Sequence, residues 1–427
     1  VDLKEMPTSI DIKTSAHNYL KFYFNGNLLS GLCSPATSTI PDNKNYLHYT
    51  LTGDELNQLL DQANPTQVAF ASMVQYLGDG GMNYINGVPG FWADITVTYG
   101  DNSTETIVTD SSWDALAETP FKGNTPSQQS RRMTAQLDYD AQKMPDPLAF
   151  ARYDYDTTSY TAGSWVDAIP AKTEASTWKM REQQIPEGTV HEMITPTPVG
   201  VQEPGVQVFD VGKIVSGFPR IKTSAPAGTR ICMRYSEDLT ADGRVKHNVA
   251  NEGSENYCDY YTFSGNDVEE FCPDFTYKAF RYVEVVGLPE MIDPSEFQVE
   301  WASSGIENTS TFSSSDDMAN KIYQMCINTQ YNNTQNMPVD CPHREQSQYL
   351  GDAQMQYDLF SYAFASDYSD FLYKTLLDFS GAQHENGQFP FITPTTVENF
   401  SNQIPEYDMR YPDLLYQYYY YTGKTDA

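Results

Sequence analysis

Over the first 165 or so residues, apolar and polar positions mostly alternate with a period of two. Leu20, Phe22 and Phe24 alternate with Lys21, Tyr23 and Asn25, and Asn25-Gly26 supplies a hairpin turn. Ile95, Val97 and Tyr99 repeat the pattern, Gly100 to Ser103 turns, and Thr106 to Thr109 returns. Asp54 to Ala63 reads as one short helix. This is the pattern of an antiparallel β-sandwich with long polar loops. Residues 166–205 are rich in Pro, Thr and Glu and read as a linker of crossing strands. From Val206 the alternation resumes, in Ile231, Met233 and Tyr235 and again from Tyr282 to Val286, which predicts a second antiparallel β-sandwich over 206–305. After Ser313 the period lengthens to about 3.6. Ser313 to Asp317 offers a capping box for a helix with Met318, Ile322, Met325 and Cys326 on one face. A second helix starts near Asp352 with Met355, Leu359 and Tyr362 on one face. A third runs from about Ser369 to Phe379, and a fourth from Pro412 to Tyr421 with Gly423 after it.

The 427 residues have room for two to four domains, and 40% hydrophobic content is enough for ordinary cores. A formal charge of -31 argues against nucleic acid or an anionic membrane surface as partner and fits a neutral ligand. No run of about 18 apolar residues is present to span a membrane. Val1 to Lys13 is polar and does not read as a signal peptide; with Val rather than Met in first place, the N-terminus reads as processed or trimmed. The compartment and the oligomeric state stay open. The six cysteines form no CxxC pair, which argues against a zinc site, and no cofactor or metal is expected. Cys258 and Cys272 flank the turn Ser264–Asp267, where a disulfide and two buried free thiols are both open. Asn102, Asn308, Asn332 and Asn399 head Asn-x-Ser/Thr sequons, which arise often by chance.

The densest chemistry lies in Asp340 to Asp352, DCPHREQSQYLGD. It holds three carboxylates, Asp340, Glu345 and Asp352, with Cys341, His343 and Arg344 among them, Pro342 near its start and Gly351 near its end. Such a loop is poor core material. It suits either a solvated acidic surface or a rim where carboxylates converge on a polar ligand. Glycoside hydrolysis uses that convergence: one protonated carboxyl leaves with the aglycone oxygen and one ionised carboxylate activates water.

DCPHRE…GDAQ, following SSSDDMANKIYQMCINTQYNNTQNMPV, resembles the signature of the bacterial α-L-rhamnosidases, an inverting family that removes terminal rhamnose. The resemblance extends along the chain. YLKFYFNGN and ITVTYGDNSTETIVTDSSW are similar to the family's N-terminal accessory sandwich over 1–165. VFDVGKIVSGF, APAGT, SEDLTADGR and FTYKAFRYVEVVG are similar to the sandwich before its catalytic barrel. IPEYDMRYPDLLYQYYYYTG is similar to an early inner-helix region of that barrel. The resemblance implies two antiparallel β-sandwich domains followed, over 306–427, by the N-terminal part of an (α/α)6 barrel. It reads the chain as truncated within that barrel.

The resemblance places the family's proton donor at Glu345. The like charges of Asp340 and Asp352 favour its protonated form, while Arg344 opposes this unless it turns toward Asp340. Asp340 and Asp352 are expected to accept hydrogen bonds from vicinal sugar hydroxyls, although Asp352 would also suit a first helical turn. Arg344 is expected either to donate to the sugar or to steer a carboxylate. Tyr349 and Tyr407, where the family commonly has Trp, are expected as aromatic walls for the apolar face and methyl group of rhamnose. Glu406 is a further sugar ligand by position, and His343 reads as loop structure. None of Glu385, Glu398 and Glu406 has the context of the family's catalytic base, which is expected beyond residue 427. The chain alone is therefore expected to turn over little substrate. The expected partner is a rhamnose-containing glycoside. Two readings compete: a non-catalytic carbohydrate-binding protein, and a related α/α-barrel glycosidase acting on another sugar.

Overall fold

A computed structural model describes residues 1–39, 43–78, 80–126, 136–171, 178–246, 256–273, 275–396 and 404–427, and backbone alone at 248–249 and 252–253. The chain is multidomain and β-rich, with a helical C-terminal part. In the first unit, the central strand Ser9–His17 lies between Asn43–Thr52 and Gly90–Thr98, antiparallel to both. Ile10 pairs with Leu51 and Val97, so one face of the strand is apolar and fully buried. The opposing layer is the hairpin Tyr19–Phe24 and Asn27–Leu28 with Phe70–Gln75. Asn25 and Gly26 turn that hairpin with φ of 48° and 79°, the left-handed pair that a two-residue turn between twisted strands requires. Phe22, Phe24, Ile12, Ile95 and Val97 fill the space between the layers, and α1 (Gly53–Leu59) adds Leu56.

The second unit is a nine-stranded sheet around its own core, which includes Phe209, Ile231, Met233, Phe280, Val283, Phe297 and Trp301. Its spine is the 18-residue strand Val206–Thr223. The first part pairs with Thr197–Glu203 and Lys278–Val286, and the last part with Phe297–Ser304 and Glu269–Phe271. An irregularity between Asp210 and Val215 interrupts the pairing with Lys278–Val286, which resumes over Val215–Gly217, and Gly212 within it has φ of 85°. The expected linker is β-structured: Lys179–Glu182 runs parallel to Asn43–Tyr46 of the first unit, and Gly188–Ile194 joins Phe297–Ser304 of the second. Asp138–Asp140, expected within the first sandwich, instead extends the second sheet beside Tyr260–Thr262.

Cys258 and Cys272 are free thiols, as are the other four cysteines. Cys258–Thr262 pairs with Arg230–Ser236, whereas Glu269–Phe271 pairs with Val206–Thr223, so the two flanking segments are not partners in one hairpin. The Asn332 sequon is buried. Its amide accepts from the Ser216 N–H and the Trp301 indole, both at 2.8 Å, and donates to the Ile214 carbonyl.

The helical part comprises α2 (Asp317–Asn333), α3 (Leu350–Ala363), α4 (Tyr368–Gly381), α5 (Pro405–Asp408) and α6 (Arg410–Thr422). Asp316 caps α2 by accepting from the N–H groups of Met318 and Ala319, so Asp316 does the capping within the predicted box. Gly423, left-handed at φ 69°, ends α6. The predicted apolar faces are not the buried ones. Met318 and Met325 are 63% and 66% exposed, and Met355 and Tyr362 are exposed on α3. The core instead takes Ile327 from α2, Leu350, Tyr357 and Phe360 from α3, Phe371, Leu372 and Phe379 from α4, and Leu414 and Tyr418 from α6. Among the described residues no helix is long and apolar enough to cross a membrane.

Candidate active site

The loop between α2 and α3 carries Asp340 and Glu345, and the first turn of α3 carries Asp352. The loop is closed at its neck by the Asp340 N–H to the Ser347 carbonyl (2.9 Å) and the Gln346 N–H to the Cys341 carbonyl (3.0 Å). Gln346 turns the chain with φ of 52°. Its amide donates to the Tyr277 carbonyl of the second sheet and to Pro342. Ser347 is fastened through its hydroxyl to the Met82 carbonyl of the first unit at 3.3 Å and to the Glu345 carbonyl at 2.8 Å. Gln348 is held by Asp378, Thr375 and the Thr393 carbonyl. Both β units and α4 therefore fix this loop.

Glu345 is 7% exposed. Arg344 donates to one of its carboxylate oxygens at 2.5 Å and the Tyr349 hydroxyl to the other. Arg344 thus turns toward Glu345. Asp340 accepts from the Ser347 N–H at 3.2 Å and from the Cys341 thiol at 3.2 Å. Burial, reinforced by the charge of Glu345, pushes the Asp340 carboxyl up to about 6. Burial and then the charge of Asp340 push the Cys341 thiol up to about 12, so the sulfur keeps its proton for that hydrogen bond. The same sulfur accepts from the Glu345 N–H at 3.4 Å and links the two acids.

Asp352 sits in the first turn of α3, and the Tyr407 hydroxyl lies near enough to its carboxylate to be held protonated by it. Burial, then Asp352, then the charges of Asp340 and Glu345 make that hydroxyl harder to ionise than an ordinary tyrosine. The Tyr407 ring packs edge-on to Tyr349 at 6.4 Å, and Tyr349 lies against Phe391 at 5.9 Å. Two tyrosines therefore connect Glu345 at one end with Asp352 at the other. Glu406 is exposed on α5 and is not among the bonded group; Glu385 is exposed after α4, and Glu398 lies outside the described residues. His343 is buried: Nδ1 lies 3.2 Å from Glu237 and the ring packs 4.7 Å from Tyr257, both of the second unit. Sequence reasoning missed Met82, Glu237 and the Gln348–Asp378 bond. These meet the loop from far along the chain, and no spacing signals them.

Residues 307–427 match the bacterial alpha-L-rhamnosidase 6 hairpin glycosidase domain, and residues 201–303 the bacterial alpha-L-rhamnosidase concanavalin-like domain. The chain belongs to the bacterial α-L-rhamnosidase family. An alpha-L-rhamnosidase of Streptomyces avermitilis is 26% identical over 344 residues, 78% of this chain and 30% of that protein. One from Formosa agariphila is 27% identical over 252 residues, 57% of this chain and 26% of that protein. The chain thus spans about a third or less of these curated relatives. Among solved structures, a Streptomyces avermitilis alpha-L-rhamnosidase complexed with L-rhamnose superposes with a TM-score of 0.81 at 23% identity, over 97% of this chain and 39% of that one. The alpha-L-rhamnosidase from Dictyoglumus thermophilum superposes with a TM-score of 0.80 at 23% identity, over 98% and 44%. At these identities the superpositions establish the shared fold. The three acids, Arg344 and both tyrosines all lie within the glycosidase-domain match.

Proposed function

We propose that this chain carries the acid half of a site that hydrolyses terminal, non-reducing α-L-rhamnose from glycosides with inversion. The supporting observation is the bonded group of Asp340, Glu345, Asp352, Arg344, Tyr349 and Tyr407 inside the glycosidase-domain match. Glu345 is the general acid. Asp340 and Asp352 accept from vicinal hydroxyls, and the tyrosine rings receive the apolar sugar face. Protonation of Glu345 requires that substrate displace Arg344, which then donates to the sugar. No residue of this chain is assigned as the base.

The test is turnover of p-nitrophenyl α-L-rhamnoside by the natural protein, with the anomer of the released rhamnose followed by NMR. Initial release of β-rhamnose supports the proposal; initial release of α-rhamnose excludes inversion, and absence of turnover removes the hydrolase reading. A second reading, with Asp340 as the acid, is favoured by the burial that makes the Asp340 carboxyl hold its proton up to about pH 6 and by the clamp on Glu345. The Glu345 and Asp340 variants discussed below separate the two.

A further inference from the structure

We propose that the turn Gly80–Asn86 of the first β unit is a working part of the candidate sugar site, with Met82 positioning the tyrosines that hold Glu345 and Asp352. The inference rests on the rhamnoside reading above. The turn lies between strands Phe70–Gln75 and Gly90–Thr98, one in each sheet of the first unit, so both of its ends are anchored. The Gly80 N–H donates to the Asn86 side chain at 2.9 Å and closes it. Gly81 has no room for a side chain, because a Cβ would stand 2.0 Å from the Tyr84 ring. The Gly81 carbonyl accepts from the Thr396 N–H at 2.9 Å and the Thr396 hydroxyl at 2.6 Å. The Met82 carbonyl accepts from the Ser347 hydroxyl inside the acidic loop. The turn is thus bonded to Ser347, shortly before Tyr349, and to Thr396, shortly after Ile392.

Between these bonds the Met82 side chain is buried in one cluster with Phe391 and Ile392, and Tyr349, Tyr407 and Ile404 pack against that cluster. Tyr349 is further tied to this strip by its bridge to Ile392. Methionine suits the place, since an unbranched thioether fills an irregular gap between aromatic rings. Removing it opens space in the cluster on which Tyr349 and Tyr407 rest. The Tyr349 hydroxyl bonds Glu345 and the Tyr407 hydroxyl lies by Asp352, so ring displacement alters the surroundings of both carboxylates. Met82 touches neither carboxylate and is a positioning residue.

The experiment compares Met82→Ala, Met82→Leu and Thr396→Val with Val97→Ala, a truncation in the first unit's core on a different strand. In the natural protein, kcat and KM for p-nitrophenyl α-L-rhamnoside are measured across pH, with the melting temperature and L-rhamnose affinity. Met82→Ala is expected to raise KM and weaken L-rhamnose binding about tenfold and to move the basic limb of kcat/KM, since Tyr349 holds Glu345. Met82→Leu restores most of this, and Thr396→Val, which opens no cavity, raises KM about threefold. Val97→Ala lowers the melting temperature without moving KM or the pH profile. A wild-type KM and pH profile in Met82→Ala, or in Thr396→Val should Met82→Ala not fold, overturns the proposal, as does an equal kinetic effect of Val97→Ala. If the unmodified protein neither turns over the rhamnoside nor binds L-rhamnose, the site reading itself falls; with both present, only the Met82 inference is at stake.

Discussion

Asp340 is placed where burial works against its charge. In the folded chain its carboxyl titrates at about 6, against 3.8 as the ordinary value. Between those values the folded state binds the proton more tightly than the unfolded chain, so stability falls as pH rises through that window. Asp340→Asn should therefore stabilise the fold above pH 6, by on the order of 2 kcal/mol, and change it little below pH 4. Melting curves at pH 4 and pH 7 check this. The same variant should weaken L-rhamnose binding by roughly 1.5–3 kcal/mol in calorimetry, through loss of a charged acceptor. Gain in stability with loss of binding is the signature of a carboxylate kept for a ligand; a variant less stable at pH 7 would argue that Asp340 holds its own loop together. Glu345→Gln should cost about 10²–10⁴-fold on rhamnosides with poor leaving groups and far less on activated aryl rhamnosides, which need little protonation. Were Asp340→Asn to show that selectivity and Glu345→Gln to hurt both substrates equally, the acid would be Asp340. The thirteen residues from Asp340 to Asp352 disclosed which side chains carry the chemistry. They did not disclose that Arg344 grips Glu345 or which acid is the harder to ionise, because both depend on burial by the two β units.

At the scale of elements, the hairpin at Asn25-Gly26 and the helix ends at Gly423 and the Asp316 region were legible, since each depends on backbone chemistry local to a few residues. The buried faces of α2 and α3 were not. Met318, Ile322 and Met325 form a proper stripe, yet the face turned inward carries Ile327, Gln330, Asn332 and Asn333. Hydropathy does not register that a buried amide can both accept and donate hydrogen bonds, as Asn332 does with the second sheet. Gly351 illustrates the reverse case, a residue that looks replaceable and is not. It lies in the first turn of α3, where alanine is the better helix former. A Cβ there would stand 2.5 Å from the Tyr407 ring. Gly351→Ala should keep the helical circular dichroism intact while displacing Tyr407 from Asp352 and weakening L-rhamnose binding about tenfold, a loss of about 1.4 kcal/mol. Unchanged affinity would separate Tyr407 from the sugar site.

At the scale of the whole molecule, the acidic loop is a junction. The first unit reaches it through Met82, the second through Tyr277, Glu237 and Tyr257, and α4 through Asp378. The sequence displays two stretches of period two and one of period about 3.6 but carries no sign that they meet here, because each bond joins residues far apart in the chain. If the junction is what makes the units cooperate, its effect should extend to the loop from a bond made at a distance. Asn332 offers that bond: it ties the last turn of α2 to the second sheet, one residue before the Asn333 carbonyl that accepts from the Val339 N–H at 2.7 Å. Asn332→Ala leaves the Ser216 N–H and the Trp301 indole buried without their acceptor, at roughly 1–3 kcal/mol each. The expected result is a lower melting temperature with the helical part melting ahead of the second sheet in calorimetry. Amide exchange in residues 339–347 should also quicken below the melting range. A single, merely shifted transition with unchanged exchange in that loop would mean that Asn332 stabilises its own surroundings and that the junction is held by the Met82, Tyr277 and Asp378 contacts alone.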